Sequence, residues 1–181
     1  WFIMRVAKAL EQIISGMTLT YNEYKSDNTI KGEVTKAVQF SFGDQKELNK
    51  WIAGRGSLSK YPLVWYVLKE YDKEVDENRY ITVDNARIIL FTSTKQEYYN
   101  QTRALINYSE ILDPLSKLLE KQMQLSGKFE FIDESLKIID IPCYGLDAQG
   151  FEASNTKSVT LDYLDARTLT ANLRVYTTCN S

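Results

Sequence analysis

Hydrophobic positions along the chain follow two different periods, and each change of period marks an element. Near the start Phe2, Val6, Ala9, Leu10, Ile13, Ile14 and Met17 recur at steps of three and four. That spacing aligns them on one face and predicts an amphipathic helix over about residues 1–17, with Gly16 as its stop. Residues 18–35 are polar and turn-rich (NEYKSDNTIKG), and no period there assigns an element. Val38, Phe40 and Phe42 then alternate with Gln39 and Ser41, which predicts a short half-buried strand. Asp44 stands three residues before Glu47, the spacing of a capping box. Leu48, Trp51 and Ile52 share the face behind it, so a short helix is expected to about Ala53, followed by the loop GRGSLSK.

YPLVWYVL (61–68) and ARIILFTS (86–93) are apolar at consecutive positions, short, and rich in branched and aromatic residues. They read as central strands buried on both faces. Between them lies a run so charged that a protruding excursion is expected over about 69–79, with Tyr80 to Val83 extending the second strand outward. The stretch after Ser93, TKQEYYNQTRALINY, reads as a polar, tyrosine-bearing loop. Asp113-Pro114 is a helix start, with Ser109 one turn earlier as the alternative; Leu115, Leu118, Leu119 and Met123 line one face and Gly127 ends the helix. FEFI and LKIIDIPCY read as strands. A flexible loop is expected over about 145–158, before a last strand that alternates Leu169, Ala171, Leu173 and Val175 with polar partners. The order α, β, α, β, β, α, β, β, β predicts a single α+β domain, a mainly antiparallel sheet with helices packed on one side.

Composition narrows the chemistry. The chain has 181 residues, 44% hydrophobic and 25% charged, enough for one sizeable core. A formal charge of −2 supplies no positive field for a nucleic-acid backbone. Lys8 and Glu11 break the apolar opening too early for a membrane span or a signal-peptide core, so a soluble chain is expected. With no histidine there is no Ser-His-Asp triad and no imidazole metal ligand. Cys143 and Cys179 are too isolated for a zinc site or a redox pair. Asp72, Glu74, Asp76 and Asn78 have calcium-loop spacing, but Glu77 replaces the turn glycine and Val83 the closing glutamate, which leaves a solvated charged loop. GRGSLSK lacks the lysine placement and following helix of a phosphate loop. Asp162 with Asp165, and Asp133 with Glu134, read as turn and edge carboxylates. Neither enzyme activity nor a cofactor or metal is expected.

FTSTK, a tyrosine-bearing stretch with Arg103, ILDPLSKLLEKQM and FEF follow one another, with KYPLVWYVL upstream and LDYLDARTLTANLRV at the end. From about Lys60 onward this order resembles the tail-completion proteins of long-tailed bacteriophages, and more narrowly the tail terminators of Bacteroides-group phages and prophages. The resemblance implies a structural virion protein of the tail and neck region, assembled in the cytoplasm of the bacterial host. Such a protein closes with copies of itself into a ring, commonly six-fold. The ring caps the tail tube protein and offers a face to the head-completion or neck protein, and DNA passes through its lumen without specific binding. No membrane contact is implied. Tyr98, Tyr99 and Arg103 are then candidate interface residues by type. So are Lys73, Glu74, Asp76, Glu77 and Arg79 in the charged excursion, and Phe151 and Glu152 in the later loop. Trp65 reads as core and Trp51 as an anchor. A neck connector ring is the nearest alternative. From other classes come a small-molecule-binding domain or enzyme using the carboxylates, and a nucleic-acid module with stacked tyrosines.

Overall fold

In the computed structural model, which describes residues 2–56, 58–68, 80–95, 97–132, 136–144 and 162–176, the centre of the main sheet is built from the segments that are apolar on both faces. The elements are α1 (Phe2–Ile14), β1 (Thr18–Tyr24), β2 (Ile30–Ala37), β3 (Gln39–Gly43), α2 (Gln45–Arg55), β4 (Leu63–Val67) and β5 (Tyr80–Ser93). They continue with α3 (Asn100–Arg103), a π-helical segment (Ala104–Leu112), α4 (Asp113–Leu125), β6 (Phe129–Phe131), β7 (Lys137–Tyr144) and β8 (Leu164–Tyr176). The main sheet runs β3-β4-β5-β8, with β6 and β7 set along the outer edge of β8. Among the described strands only the β3–β4 pair is parallel. The chain is thus an α+β domain with a mostly antiparallel sheet.

Strand parity divides the core. Val64 opposite Leu90 and Tyr66 opposite Ile88 point to one face, where Val6, Leu10 and Ile14 of α1 and Leu115, Leu119 and Met123 of α4 meet them. Leu63 opposite Phe91 and Trp65 opposite Ile89 point to the other, where Leu48 and Ile52 of α2 cover them. The expectation of helices on one side therefore holds for α1 and α4 and fails for α2. The cause is β3–α2–β4: two parallel neighbours need a crossover, and the crossover helix must lie over a face of the sheet. The capping box forms as expected, with Glu47 N donating to Asp44 Oδ1 at 2.8 Å and Asp44 N donating to Glu47 Oε2 at 2.7 Å. The helix it starts runs to Arg55. Trp65 is core: its Nε1 donates to the Gly43 carbonyl at 3.0 Å, and Trp51, half-buried, packs edge-on against it.

Two segments differ from expectation. Residues 18–37 form a hairpin, β1 against β2, which pairs apart from the main sheet. Its turn is made by Asp27, whose carboxylate accepts from both the amide and the hydroxyl of Thr29, and by Asn28 at φ 62. Most of its residues are half-buried or exposed, so no apolar alternation announces it. The second difference is that helix begins at Asn100, well before Ser109. Arg103, Ile106, Asn107, Ile111 and Leu112 form its buried stripe, and the two polar members disguise the period. Within the π segment, Ile106 and Ile111, and Asn107 and Leu112, are five apart, the period of π hydrogen bonding, and Asp113 N donates to the Tyr108 carbonyl in that pattern.

Lys73, Glu74, Asp76, Glu77, Arg79, Asp133, Glu134, Phe151, Glu152 and Cys179 lie outside the described residues, as does the calcium-like spacing. Among the described residues no helix is long and apolar enough to cross a membrane.

Candidate interaction site

The β5–α3 connection carries Tyr98, Tyr99 and Arg103, and the three side chains take different positions. Tyr99 is 82% exposed, Tyr98 is half-buried, and Arg103 is 4% exposed. The Arg103 guanidinium turns inward and donates to Asp165 Oδ1 at 2.8 Å, to the Tyr98 carbonyl at 2.8 Å, and to the Lys95 carbonyl at 3.2 Å. Asp165, read from the sequence as a turn carboxylate, is instead fully buried in β8. It also accepts from Asn107 Nδ2 at 2.6 Å and from the Cys143 amide at 2.9 Å. A buried carboxylate persists when a cation and further donors compensate its lost hydration, and here all three are present. Arg103 is thereby committed to the interior, and Tyr99 and Glu97 are exposed on the connection, with Tyr98 half-buried between them.

A second clamp lies two residues along β8. Arg167 grips Asp140 of β7 with two bonds, at 2.6 and 2.8 Å, and also pairs with Asp113 at the start of α4. Asp165 and Arg167 occupy inward positions of β8 and hold the long helix to the sheet at two points. Sequence reasoning missed Asn107 and Arg167. Their one signal was charge at the alternate positions of β8 that turn apolar at Leu169, Ala171 and Leu173.

Between the β1–β2 hairpin, the end of β5 and the π segment lies an open groove of about 480 Å³, lined among others by Tyr21, Tyr24, Lys36, Lys60, Lys95 and Tyr98. Its charges are met locally. Lys36 bonds Glu23 at 2.8 Å, Lys60 bonds Asp162 at 3.1 Å, and Lys95 stands over the Tyr98 ring. Glu110 of the π segment accepts from Asn22 Nδ2 at 3.2 Å and from the Tyr24 hydroxyl at 3.4 Å, which moors the hairpin. Burial, then Asp162, pushes the Tyr61 phenol far above its ordinary value; burial, then Glu110, raises Tyr24. These hydroxyls stay protonated at neutral pH and act as donors, not as nucleophiles. Bonds from Lys36 and Lys31 hold the Glu23 carboxyl below its ordinary range. Among the described residues no three cysteine, aspartate or glutamate side chains are grouped to hold a metal.

The sheet edge is different in character. β7 pairs only with β8 among the described residues, so its outer backbone edge faces away from the sheet. Ile138 and Ile139 point to opposite faces of that strand and are 48% and 44% exposed. A bulge between Ile141 and Tyr144, with Pro142 inside it, interrupts pairing at the far end. Among the described residues Lys137–Ile141 carries no bulge or proline.

No family model matches the chain, and no curated protein matches it.

Proposed function

We propose that the chain is a ring-forming structural protein of a long-tailed phage particle, a tail terminator that caps the tail tube and joins it to the neck. Two supports meet in this reading: the segment order from Lys60 to the end, and the open edge of β7. The edge carries it. A head-to-tail ring needs two different surfaces on each copy. A straight strand edge bearing isoleucine on both sides is one such surface, and Tyr99 with the exposed Leu105 on the helix side belongs to another part of the molecule.

The magnitude fits assembly on a template. Fully burying an isoleucine contributes about 1.5–3 kcal/mol, and Ile138 and Ile139 are each about half buried already, so docking this edge adds roughly 1.5–3 kcal/mol from the pair. Each new strand hydrogen bond adds about 0.5–1.5 kcal/mol. One contact of this size is weak. Ring closure on the tube multiplies it, because every copy then binds both neighbours and tube at high local concentration. In this reading the partners are copies of the chain, the tube protein and the head-completion protein, in the tail and neck of the virion. DNA crosses the lumen unheld, in line with the net charge of −2.

Sedimentation and electron micrographs of the protein alone and mixed with tail tubes test this. Rings, or caps on one end of the tubes, are the expected result. Binding to isolated head-neck particles in preference to tube ends assigns the chain to the neck connector; a monomer indifferent to both overturns the proposal.

A further inference from the structure

The face of the sheet that carries α2 also holds a cleft. α2 shields this face over Leu63, Trp65 and Phe91. Beside its N-terminus the helix, the sheet and Tyr144 enclose a space of about 170 Å³. The walls are mostly apolar and aromatic: Leu48, Trp65, Val67, Ile89 and the Tyr144 ring. That volume suits a group of a few heavy atoms and is too small for a nucleotide or a sugar.

Two polar groups in these walls have spare capacity. Gln45 Oε1 accepts from the Tyr144 hydroxyl at 3.0 Å, and this leaves Gln45 Nε2 buried with no hydrogen-bond partner. Arg87, half-buried on β5, lines the same cleft, and among the described residues no carboxylate or carbonyl pairs with its guanidinium. The other arginines on this sheet do not behave so: Arg167 is paired with Asp140 and Arg174 with Glu130. The acid in the cleft is Asp44, and it is occupied, accepting the Glu47 amide as the cap of α2. An orphaned amide donor and an unpaired guanidinium sharing one small apolar space lack the same thing, an anionic acceptor.

We propose that this cleft binds a carboxylate carried on a short apolar stem, with the oxygens on Arg87 and Gln45 Nε2 and the stem against Trp65 and Val67. The carboxylate belongs either to an aspartate or glutamate of an adjoining polypeptide or to a free organic acid; the recognition chemistry is the same. The site stands or falls independently of the ring reading, because the titration that tests it needs only the isolated chain; assembly enters only in assigning the source of the carboxylate.

The experiment is a nitrogen–proton correlation titration of the full chain with sodium propionate, and with propionamide as the uncharged isostere. Propionate is expected to shift the Gln45 side-chain amide and the Trp65 indole saturably, and propionamide is not. Arg87→Gln is expected to weaken binding at least tenfold while the rest of its spectrum superimposes on the parent. Gln45→Met keeps the stem and removes the amide, and is expected to weaken binding as well, which keeps the test decisive if Arg87→Gln folds poorly. Absence of saturable shifts in the parent, or affinity equal to the parent's in both variants, overturns the site. If propionate, but not propionamide, also dissociates assembled protein in sedimentation, the natural carboxylate comes from a neighbouring copy; unchanged assembly assigns it to a free acid.

Discussion

Replacing Arg103 by methionine keeps most of the side chain's volume and removes its charge, which isolates the electrostatic part of the inner clamp. Asp165, wholly buried, then keeps only the Asn107 amide at 2.6 Å and the Cys143 amide at 2.9 Å, both neutral, and the Tyr98 and Lys95 carbonyls lose a donor. Breaking one side of a buried ion pair costs about 3–5 kcal/mol, because the remaining charge stays desolvated. Against a total stability of roughly 5–15 kcal/mol this is a large fraction. At about 2–4 °C per kcal/mol for a chain of this size, the melting temperature should fall by roughly 6–20 °C. Urea unfolding followed by far-ultraviolet circular dichroism on the parent, Arg103→Met, Asp165→Asn and the double variant gives the coupling directly. The double variant should be markedly more stable than the sum of the single losses implies, since neither charge is then stranded. A single-variant loss within about 1 kcal/mol of zero, or strictly additive losses, would refute the clamp as the element that holds the long helix to β8.

Three further outcomes are expected. Gly43 sits at φ 142, and a Cβ there would run into the Glu47 carboxylate and lie 2.8 Å from Glu47 Cβ. Gly43→Ala should open the capping box of α2 and cost about 1–3 kcal/mol in urea melts, and an unchanged midpoint would show that Glu47 moves freely. Glu23 has a folded pKa below its ordinary value of 4.5 because Lys36 and then Lys31 bond it, so its contribution is present above that value and lost as pH falls through the lowered one. Lys36→Met should therefore lower stability at neutral pH and flatten the acid limb of the stability curve; parallel curves for parent and variant would contradict the pairing. Ile139→Lys on the exposed edge of β7 should leave the unfolding free energy within about 0.5 kcal/mol of the parent and abolish tube capping, and normal caps from this variant would remove β7 from the interface.

Of the contact residues nominated by type, Tyr98 and Tyr99 do lie at the surface of the β5–α3 connection, and Arg103 does not. Nothing local separates them: all three are amphipathic side chains in one polar stretch. The difference is made by Asp165, which stands 62 residues further along the chain. The β7 edge was legible as a strand, but its exposure was not, since being an edge is a property of strand order and no residue of KIIDI states it. The same holds for the cleft at Arg87, whose walls come from α2, β4, β5 and β7.

By itself the sequence determined the elements whose own residues carry the signal. These are the apolar face of α1, the two-faced apolar runs of β4 and β5, the Asp44–Glu47 cap, the apolar face of α4 and the alternating half of β8. In each, neighbours within a turn or a pleat settle the backbone, and the pattern records which side meets the core. Tertiary structure alone decided that Arg103, Asn107 and Asp165 face inward, that residues 18–37 make a hairpin moored by Glu110, and that α2 crosses to the opposite face. The physical reason is shared: a polar group becomes burial-competent only when a distant segment supplies its partner. Where partners are remote, a buried stripe and a solvated one look alike.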